Sequence, residues 1–270
     1  MKAAGFWRRS SFIEGDPPFP HPAQAEVGLV IPCFREGDRL PGFLPRLCEN
    51  LDDPSLPETL LLVVDDGSGE PHVSVVHDLV ESLRPRYRFL GPLLRLPANV
   101  GKGATIRTGW NRLADSCRLL AFVDADGAVP GPEVARFLRL AAAQPADTAL
   151  FASRLDASKV ARRPGRRLAG LMFRLLVRIL FRLPVRDTQC GLKAVPTAAY
   201  QRLRDRLRQK GFLFDVELAA QLARTGVGIV AESVAWREIP GSHLRPGHVL
   251  AMLRTIISIR WNLSCRRAPD

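Results

Sequence analysis

The chain has 270 residues, 46% of them hydrophobic, enough to bury the core of one large α/β domain or two small ones. Lys+Arg 39 against Asp+Glu 27 gives a formal charge of +12, a balance suited to nucleic acid, an anionic membrane surface or a phosphorylated substrate. The five cysteines (33, 48, 117, 190, 265) are widely spaced with no C-x-x-C pair, which argues against a zinc site or disulfide framework and fits a reducing compartment.

Residues 1–24 hold Pro17, Pro18, Pro20 and Pro22 and no apolar h-region, so they read as a flexible or extended leader and not as a signal peptide. Apolar, β-branched runs then predict strands over Val27–Ile31, Thr59–Val64, Tyr87–Leu94, Leu119–Val123, Thr148–Ala152 and Ile229–Trp236. Between them, helical spacing predicts Leu40–Asn50, Pro71–Leu83, Lys102–Arg118, Pro132–Ala143 and Asp215–Arg224. Strands separated by helices imply crossover units and an open, mostly parallel α/β sheet with helices on both faces. No stretch reaches the roughly 18 uncharged apolar residues of a bilayer-spanning helix. No internal repeat or long linker divides the chain, so residues 25–247 read as one catalytic domain.

Carboxylates cap three of these strands. The first runs into Pro32-Cys33-Phe34-Arg35-Glu36, the second into Val64-Asp65-Asp66-Gly67-Ser68, and the fourth into Asp124-Ala125-Asp126-Gly127. In a parallel sheet such ends share one edge, and open α/β folds bind their ligands at that edge. Asp124 and Asp126 supply hard oxygen ligands, suited to Mg²⁺ or Mn²⁺ shared with a diphosphate. Asn99-Val100-Gly101-Lys102-Gly103 opens a helix but is not a phosphate loop of the G-x-x-x-x-G-K-[ST] kind, since Leu96 and Gly103 occupy its Gly and Ser/Thr positions. Lys102 is a lysine at a helix start near the cleft. No G-x-G-x-x-G follows the first strand, which disfavours a dinucleotide dehydrogenase.

Taken in order, IPCFRE (31–36), VVDDGS (63–68), NVGKGATIRTGW (99–110), FVDADGAV (122–129), ASR (152–154), DTQCGLKAV (187–195), GFLFDVELA (211–219) and WREIPGSHLRP (236–246) resemble glycosyltransferase family 2, the inverting enzymes of GT-A fold. Within it the likeness is nearest to dolichyl- or polyprenyl-phosphate β-glucosyltransferases and their mannosyl relatives, and it spans roughly residues 25–265. The resemblance implies Pro32, Phe34, Glu36, Val64, Asp65 and Asp66 at the nucleotide, with Lys102 nearby. It implies Asp124 and Asp126 at the metal and sugar diphosphate, with Ala125 between them at the donor, and Arg154 at phosphate; Arg186 is a further candidate for the acceptor phosphate. Asp187 and Gln189 would line the reacting centre, Asp187 as base or as orienting group, while Ser242 and Arg245 close over the donor. Two departures bear on base recognition: Arg35 stands where the family has Asn, and Gly69-Glu70-Pro71 replaces Asp-x-Thr after DDGS. The processive Q-x-x-R-W signature is absent, since Ile257 precedes Ser258-Ile259-Arg260-Trp261, so one sugar is added per event.

From Lys159 to Arg186 there is no acidic residue, and eight arginines accompany the lysine. Arg166, Gly170, Arg174, Arg178 and Arg182 fall four apart, one stripe on an otherwise apolar helix, the pattern of a membrane-interface helix with headgroup-reaching arginines. His248–Arg260, within a C-terminal amphipathic helix and tail of 248–270, repeats it more mildly, with Leu250, Leu253, Ile256, Ile257 and Trp261 as the apolar set. The aliphatic flanks of the stripe lack the stacking aromatics of a nucleic-acid surface. The expectation is a monotopic or peripheral enzyme on the cytoplasmic face of a membrane, passing glucose from UDP-glucose to a polyprenyl or dolichyl phosphate. GDP-mannose as donor, a soluble acceptor, and a non-catalytic docking scaffold stay open as alternatives.

Overall fold

The elements run, in chain order, β1 (Ala25–Cys33), α1 (Leu40–Leu51), β2 (Thr59–Asp65), α2 (His72–Leu83), β3 (Leu94–Arg95), α3 (Lys102–Leu113), β4 (Cys117–Val123), α4 (Gly131–Ala142), β5 (Thr148–Ser153), β6 (Val160–Ala161), β7 (Leu192–Pro196), α5 (Thr197–Leu203), α6 (Phe214–Arg224), β8 (Gly228–Ser233) and β9 (Trp236–Arg237). This computed structural model describes residues 25–154, 160–161, 177, 179–181, 183–239, 255–261 and 263. Seven strands form one sheet in the order β3-β2-β1-β4-β7-β5-β8, and β6 pairs with β9 in a second, two-stranded sheet. β1 is parallel to β2 and β4, β2 to β3, and β5 to β8, while β7 runs antiparallel between β4 and β5. The sheet is mostly parallel, with helices on both faces.

The two faces follow from the strand period of two. On β4, Leu119, Ala121 and Val123 join the core beneath α1, α2 and α4, while Leu120 and Phe122 join the core beneath α3, α5 and α6. α1 buries Leu40, Phe43, Leu44, Leu47, Cys48 and Leu51, the i, i+3, i+4 spacing of an amphipathic helix against a sheet. On the opposite face Trp110 is fully buried, packed edge-on against Tyr200 and Phe214, with its indole N–H donating to the Ala121 carbonyl at 2.9 Å. That indole ties α3, α5 and α6 to β4.

Four helices, α1, α2, α4 and α6, lie within a residue of their predicted bounds. The predicted strand Tyr87–Leu94 is mostly turns. Tyr87 N–H donates to Leu83 O and Leu90 N–H to Tyr87 O, and a single bridge joins Leu90 to Leu61 before Gly91-Pro92 ends the pairing. Only Leu94–Arg95 pair regularly with β2. The helix predicted over Lys102–Arg118 ends at Leu113, because Cys117 is already in register with Ala25 in the sheet. The predicted Ile229–Trp236 strand divides between β8 and β9, whose partners lie in different sheets. β7 and α5 carry no strand or helix expectation in the sequence reading, since β7 is only five residues, interrupted by Lys193 and closed by Pro196.

The whole arginine stripe, Arg166, Gly170, Arg174, Arg178 and Arg182, lies outside the described residues, as do Leu250 and Leu253. Val177 is helical and buried, and Leu180 and Phe181 pack against the same core. Residues 255–261 are helical, and their apolar set divides between two faces. Ile256, Ile259 and Leu263 enter the core on the Trp110 side, while Ile257 (64%) and Trp261 (70%) are exposed, as is Ile179 (65%). Among the described residues no helix is long and apolar enough to cross a membrane.

Trp110→Ala removes the largest buried side chain of this face and should cost about 3–5 kcal/mol. Urea denaturation followed by circular dichroism measures it.

Candidate active site

The C-terminal ends of β1, β2 and β4 lie together because the three are parallel and in register, with Cys33 opposite Asp65 and Val30 opposite Phe122. The acids that follow them therefore gather at one edge. Asp66 donates its amide to Cys33 O at 2.8 Å. Its carboxylate accepts from the amides of Val100 (2.7 Å) and Gly101 (2.9 Å), so both oxygens hold the loop that opens α3. Burial raises the Asp66 pKa, and those two amides pull it back. Gly101 has φ +94°, and a Cβ there would stand 2.6 Å from Lys210 O, so only glycine fits the turn between Asp66 and the 208–213 loop. Asp65 accepts the Ser68 amide at 2.9 Å, a turn closed by the strand's last carboxylate.

On the β1 side, Glu36 takes the Arg39 guanidinium at 2.5 Å on one oxygen, while its other oxygen is buried with no partner among the described residues. Burial raises the Glu36 pKa; Arg39 opposes this, and the nearby Asp126 and Asp124 reinforce it. Pro32 and Phe34 are partly buried beside it, and the exposed Arg35 guanidinium lies 5.1 Å from the Phe34 ring. Val64 and Ala125 are core side chains beneath the edge.

At the end of β4, the Asp124 amide donates to Gly191 O at 2.8 Å, and Asp126 accepts the Ala128 amide at 3.0 Å. A Cβ on Gly191 would overlap the Asp124 carboxylate, so the bare glycine makes the space in which Asp124 turns into the cleft. Lys102 Nζ lies 2.7 Å from Asp124 Oδ1 and 3.7 Å from Asp215 Oδ2. Burial would lower the Lys102 pKa, but Asp124 and Asp215 outweigh it and raise it. Behind them Lys193, 0% exposed, places Nζ 2.6 Å from Asp215 Oδ1. The contact is a buried ion pair, and the ammonium also donates to Cys190 O at 2.6 Å. The Phe122 and Phe151 rings flank it at 5.1 and 5.2 Å.

Beyond β5, Arg154 and Asp187 form a buried fork. Nε and Nη2 reach the two carboxylate oxygens at 2.8 and 2.7 Å, and the Arg154 amide adds a third bond at 2.9 Å. Burial alone would raise the Asp187 pKa, but the guanidinium holds it down at about 2. The guanidinium also lies over the Trp236 ring at 5.5 Å. The Gln189 amide donates to Asp187 Oδ1 at 3.2 Å, and its side chain points to Phe212 O at 3.5 Å. Arg186 is exposed one residue before. Ser242 and Arg245 lie outside the described residues.

The Glycosyl transferase family 2 profile matches residues 29–202, which include β1 to β7 and every acid just described except Asp215. The chain belongs to that family. It is 30% identical over 258 residues to a dolichyl-phosphate beta-glucosyltransferase of Trichomonas vaginalis, covering 89% of this chain and 76% of the relative. It is 31% identical over 238 residues to the Drosophila melanogaster dolichyl-phosphate beta-glucosyltransferase, covering 82% and 70%. Among solved structures, glucosyl-3-phosphoglycerate synthase from Mycobacterium tuberculosis, crystallised with Mn²⁺, UDP and glucosyl-3-phosphoglycerate, superposes with a TM-score of 0.61 at 15% identity, covering 91% of this chain and 81% of that one. A mannosyltransferase of Pyrobaculum calidifontis in complex with GDP-Man and Mn²⁺ gives 0.60 at 17% identity, covering 95% and 68%. These likenesses show the GT-A-like fold of a glycosyltransferase.

In this family 2 chain, the donor set suits Mg²⁺ or Mn²⁺. Among the described residues no three His, Cys, Asp or Glu side chains converge as a closed metal cage. Two carboxylates with open positions are what a hard cation shared with a diphosphate requires. Burial and, after it, the neighbouring Asp124 raise the Asp126 pKa, while the Ala128 amide, Arg39 and Lys102 oppose the rise. Lys193, Asp215 and Glu217 escaped the sequence reading as site residues. Glu217 accepts the Arg208 and Gln209 amides at 2.8 Å each and so fixes the loop that packs on Gly101. The available signal was charge inside apolar runs: a lysine in LKAVP and two acids in FDVELA.

Gly191→Ala should leave the fold near wild type by circular dichroism while lowering turnover about 10²-fold, because the Cβ displaces the Asp124 carboxylate. Asp187 has its folded-state pKa depressed to about 2 from an ordinary 3.8. Its stabilising share is therefore complete above the ordinary value and is lost as pH falls through the folded one. The stability gap between wild type and Asp187→Asn, from urea midpoints, should be constant at neutral pH and close on acidification through that window.

Proposed function

We propose that this glycosyltransferase moves glucose from UDP-glucose to a polyprenyl or dolichyl phosphate, with inversion, on the cytoplasmic face of a membrane. The observation that carries this reading is the gathering of Asp124, Asp126, Lys102 and the Arg154–Asp187 fork around one sheet edge, in a chain whose relatives at 25–31% identity are dolichyl-phosphate beta-glucosyltransferases.

Asp124 and Asp126 would hold Mg²⁺ or Mn²⁺, which neutralises charge on the leaving diphosphate. Lys102, already charged at the cleft wall, adds a second positive group for that diphosphate. Pro32, Phe34, Glu36 and the turn closed by Asp65 would receive the nucleoside, while Asp66 shapes the loop beneath it. The acceptor is a phosphate monoester whose second pKa lies near ~6, so it is already a nucleophile at neutral pH and needs no strong base. Asp187 suits an orienting role and not proton abstraction, since its oxygens are committed to Arg154 and its pKa is about 2. Held in that fork, Arg154 keeps guanidinium N–H groups for the acceptor phosphate, with the exposed Arg186 beside it. Ser242 and Arg245 would complete the donor site.

Ile179, Ile257 and Trp261 supply exposed apolar anchors, and the arginines of 162–186 supply headgroup-seeking charge, about 1 kcal/mol for each basic residue near an anionic leaflet. Trp in particular favours the headgroup level.

Incubation with short polyprenyl phosphate, Mn²⁺ and radiolabelled UDP-glucose should yield organic-extractable label. GDP-mannose should give little, and Asp126→Asn should lower the rate by about 10²–10³-fold with its circular dichroism unchanged. Label confined to water-soluble acceptors, or wild-type rates for Asp126→Asn, would overturn the reading; release of sugar from neither donor would point to a scaffold.

A further inference from the structure

The Asp124 carboxylate is not waiting empty for a metal. Lys102 Nζ stands 2.7 Å from its Oδ1, so a cation that took this oxygen as a ligand would have to displace the ammonium. The ammonium is not a surface lysine that has swung in. It starts α3, whose first turn is clamped through Gly101 to Asp66, and it lies 5.2 Å from the Phe122 ring. Asp215 stands 3.7 Å behind it and is itself pinned by Lys193, whose ammonium is enclosed by the Cys190 carbonyl and by the Phe122 and Phe151 rings. From core to cleft the charges run Lys193, Asp215, Lys102, Asp124, plus and minus in alternation.

We propose that Lys102 is the resident counter-cation of the Asp124–Asp126 pair, displaced from Asp124 when a divalent ion binds and retained beside the cleft by Asp215 to meet the donor diphosphate. This rests on the metal reading of Asp124 and Asp126. Two adjacent carboxylates at a partly buried edge repel each other unless positive charge is near, and the ammonium supplies it while no donor is present. The same contact makes bare metal binding a competition, because the ion must take an oxygen that already has a partner. With the donor present the competition ends: the released ammonium exchanges a carboxylate for phosphate oxygens, and Asp215 keeps it from leaving. Asp215 is thereby a positioning residue, and metal and nucleotide binding are positively coupled through Lys102.

Mn²⁺ titration of the full chain by electron paramagnetic resonance, with and without UDP, tests this apart from turnover. Lys102→Met should bind Mn²⁺ without nucleotide about tenfold more tightly than wild type, the size of one lost charge-pair competitor. The gain in Mn²⁺ affinity on adding UDP should be smaller in the variant than in wild type. Lys102→Gln should behave alike, whereas Lys210→Met, which removes an exposed charge from the neighbouring loop, should change Mn²⁺ affinity by no more than about twofold. In wild type, acetylation of Lys102 read by mass spectrometry should quicken when Mn²⁺ is added alone, a measurement that stands if neither Lys102 variant folds. Equal or weaker Mn²⁺ binding in the folded variants, or an unchanged acetylation rate, overturns the counter-cation and leaves the metal reading intact. Absence of Mn²⁺ binding in every protein, with UDP or without, overturns both.

Discussion

Lys193 and Asp215 are an ion pair with 0% and 2% of their side chains exposed, and the cleft is built outward from them. Taking two charges out of water costs several kcal/mol for each ion, a cost that their attraction offsets only with good geometry and further hydrogen bonds. Lys193 has its further bond, to Cys190 O, and two aromatic faces; Asp215 has Lys102. A pair so placed is a poor source of stability and a good source of position. It requires β7 to run antiparallel between β4 and β5, since only that insertion sets Lys193 opposite Phe122. The same insertion sets Gly191 against Asp124. Antiparallel to both its neighbours in the seven-stranded sheet, β7 thus shapes both the surroundings of Asp124 and the Lys193 cation behind it.

That strand was also the least legible part of the chain. Parallel strands buried on both faces show as continuous apolar runs, and β1, β2 and β4 were readable for that reason, together with the acids that follow them. β7 is short, carries a lysine in its second position and ends in proline, so its pattern is that of a loop. Its lysine is tolerated only because of a carboxylate on α6, a partner about twenty residues away that no local window contains. Asp66 shows the converse. Its place in DDGS reads as a ligand contact, yet both its oxygens are taken by main-chain amides of the 99–101 loop. Sequence locates a carboxylate at an edge; it does not say whether the carboxylate faces the cleft or the backbone.

Arg35 illustrates a departure with a local physical cost. It adopts φ +57°, the left-handed region that Asn tolerates several-fold better than most side chains, and it stands where the family usually has Asn. Two contacts offset the strain: its amide donates to Ser68 Oγ at 2.8 Å, and its guanidinium stacks toward Phe34. The Ser68 bond ties the loop after β1 to the turn after β2, so the two loops are held as one unit even without the asparagine.

The distribution of charge completes the argument. The chain carries +12 overall, yet the acids Glu36, Asp65, Asp66, Asp124, Asp126, Asp187 and Asp215 crowd one edge of the sheet. The proposed substrates, a nucleotide sugar and a lipid phosphate, are both anions, so an acidic edge would not attract them by itself. Asp65 and Asp66 are spent on main-chain amides, and three others hold positive charge: Glu36 holds Arg39, Asp187 holds Arg154, and Asp215 holds Lys102. The proposed metal would do the same for Asp124 and Asp126. These carboxylates thus act as fixed supports that hold cations at the edge where the proposed substrate phosphates would lie.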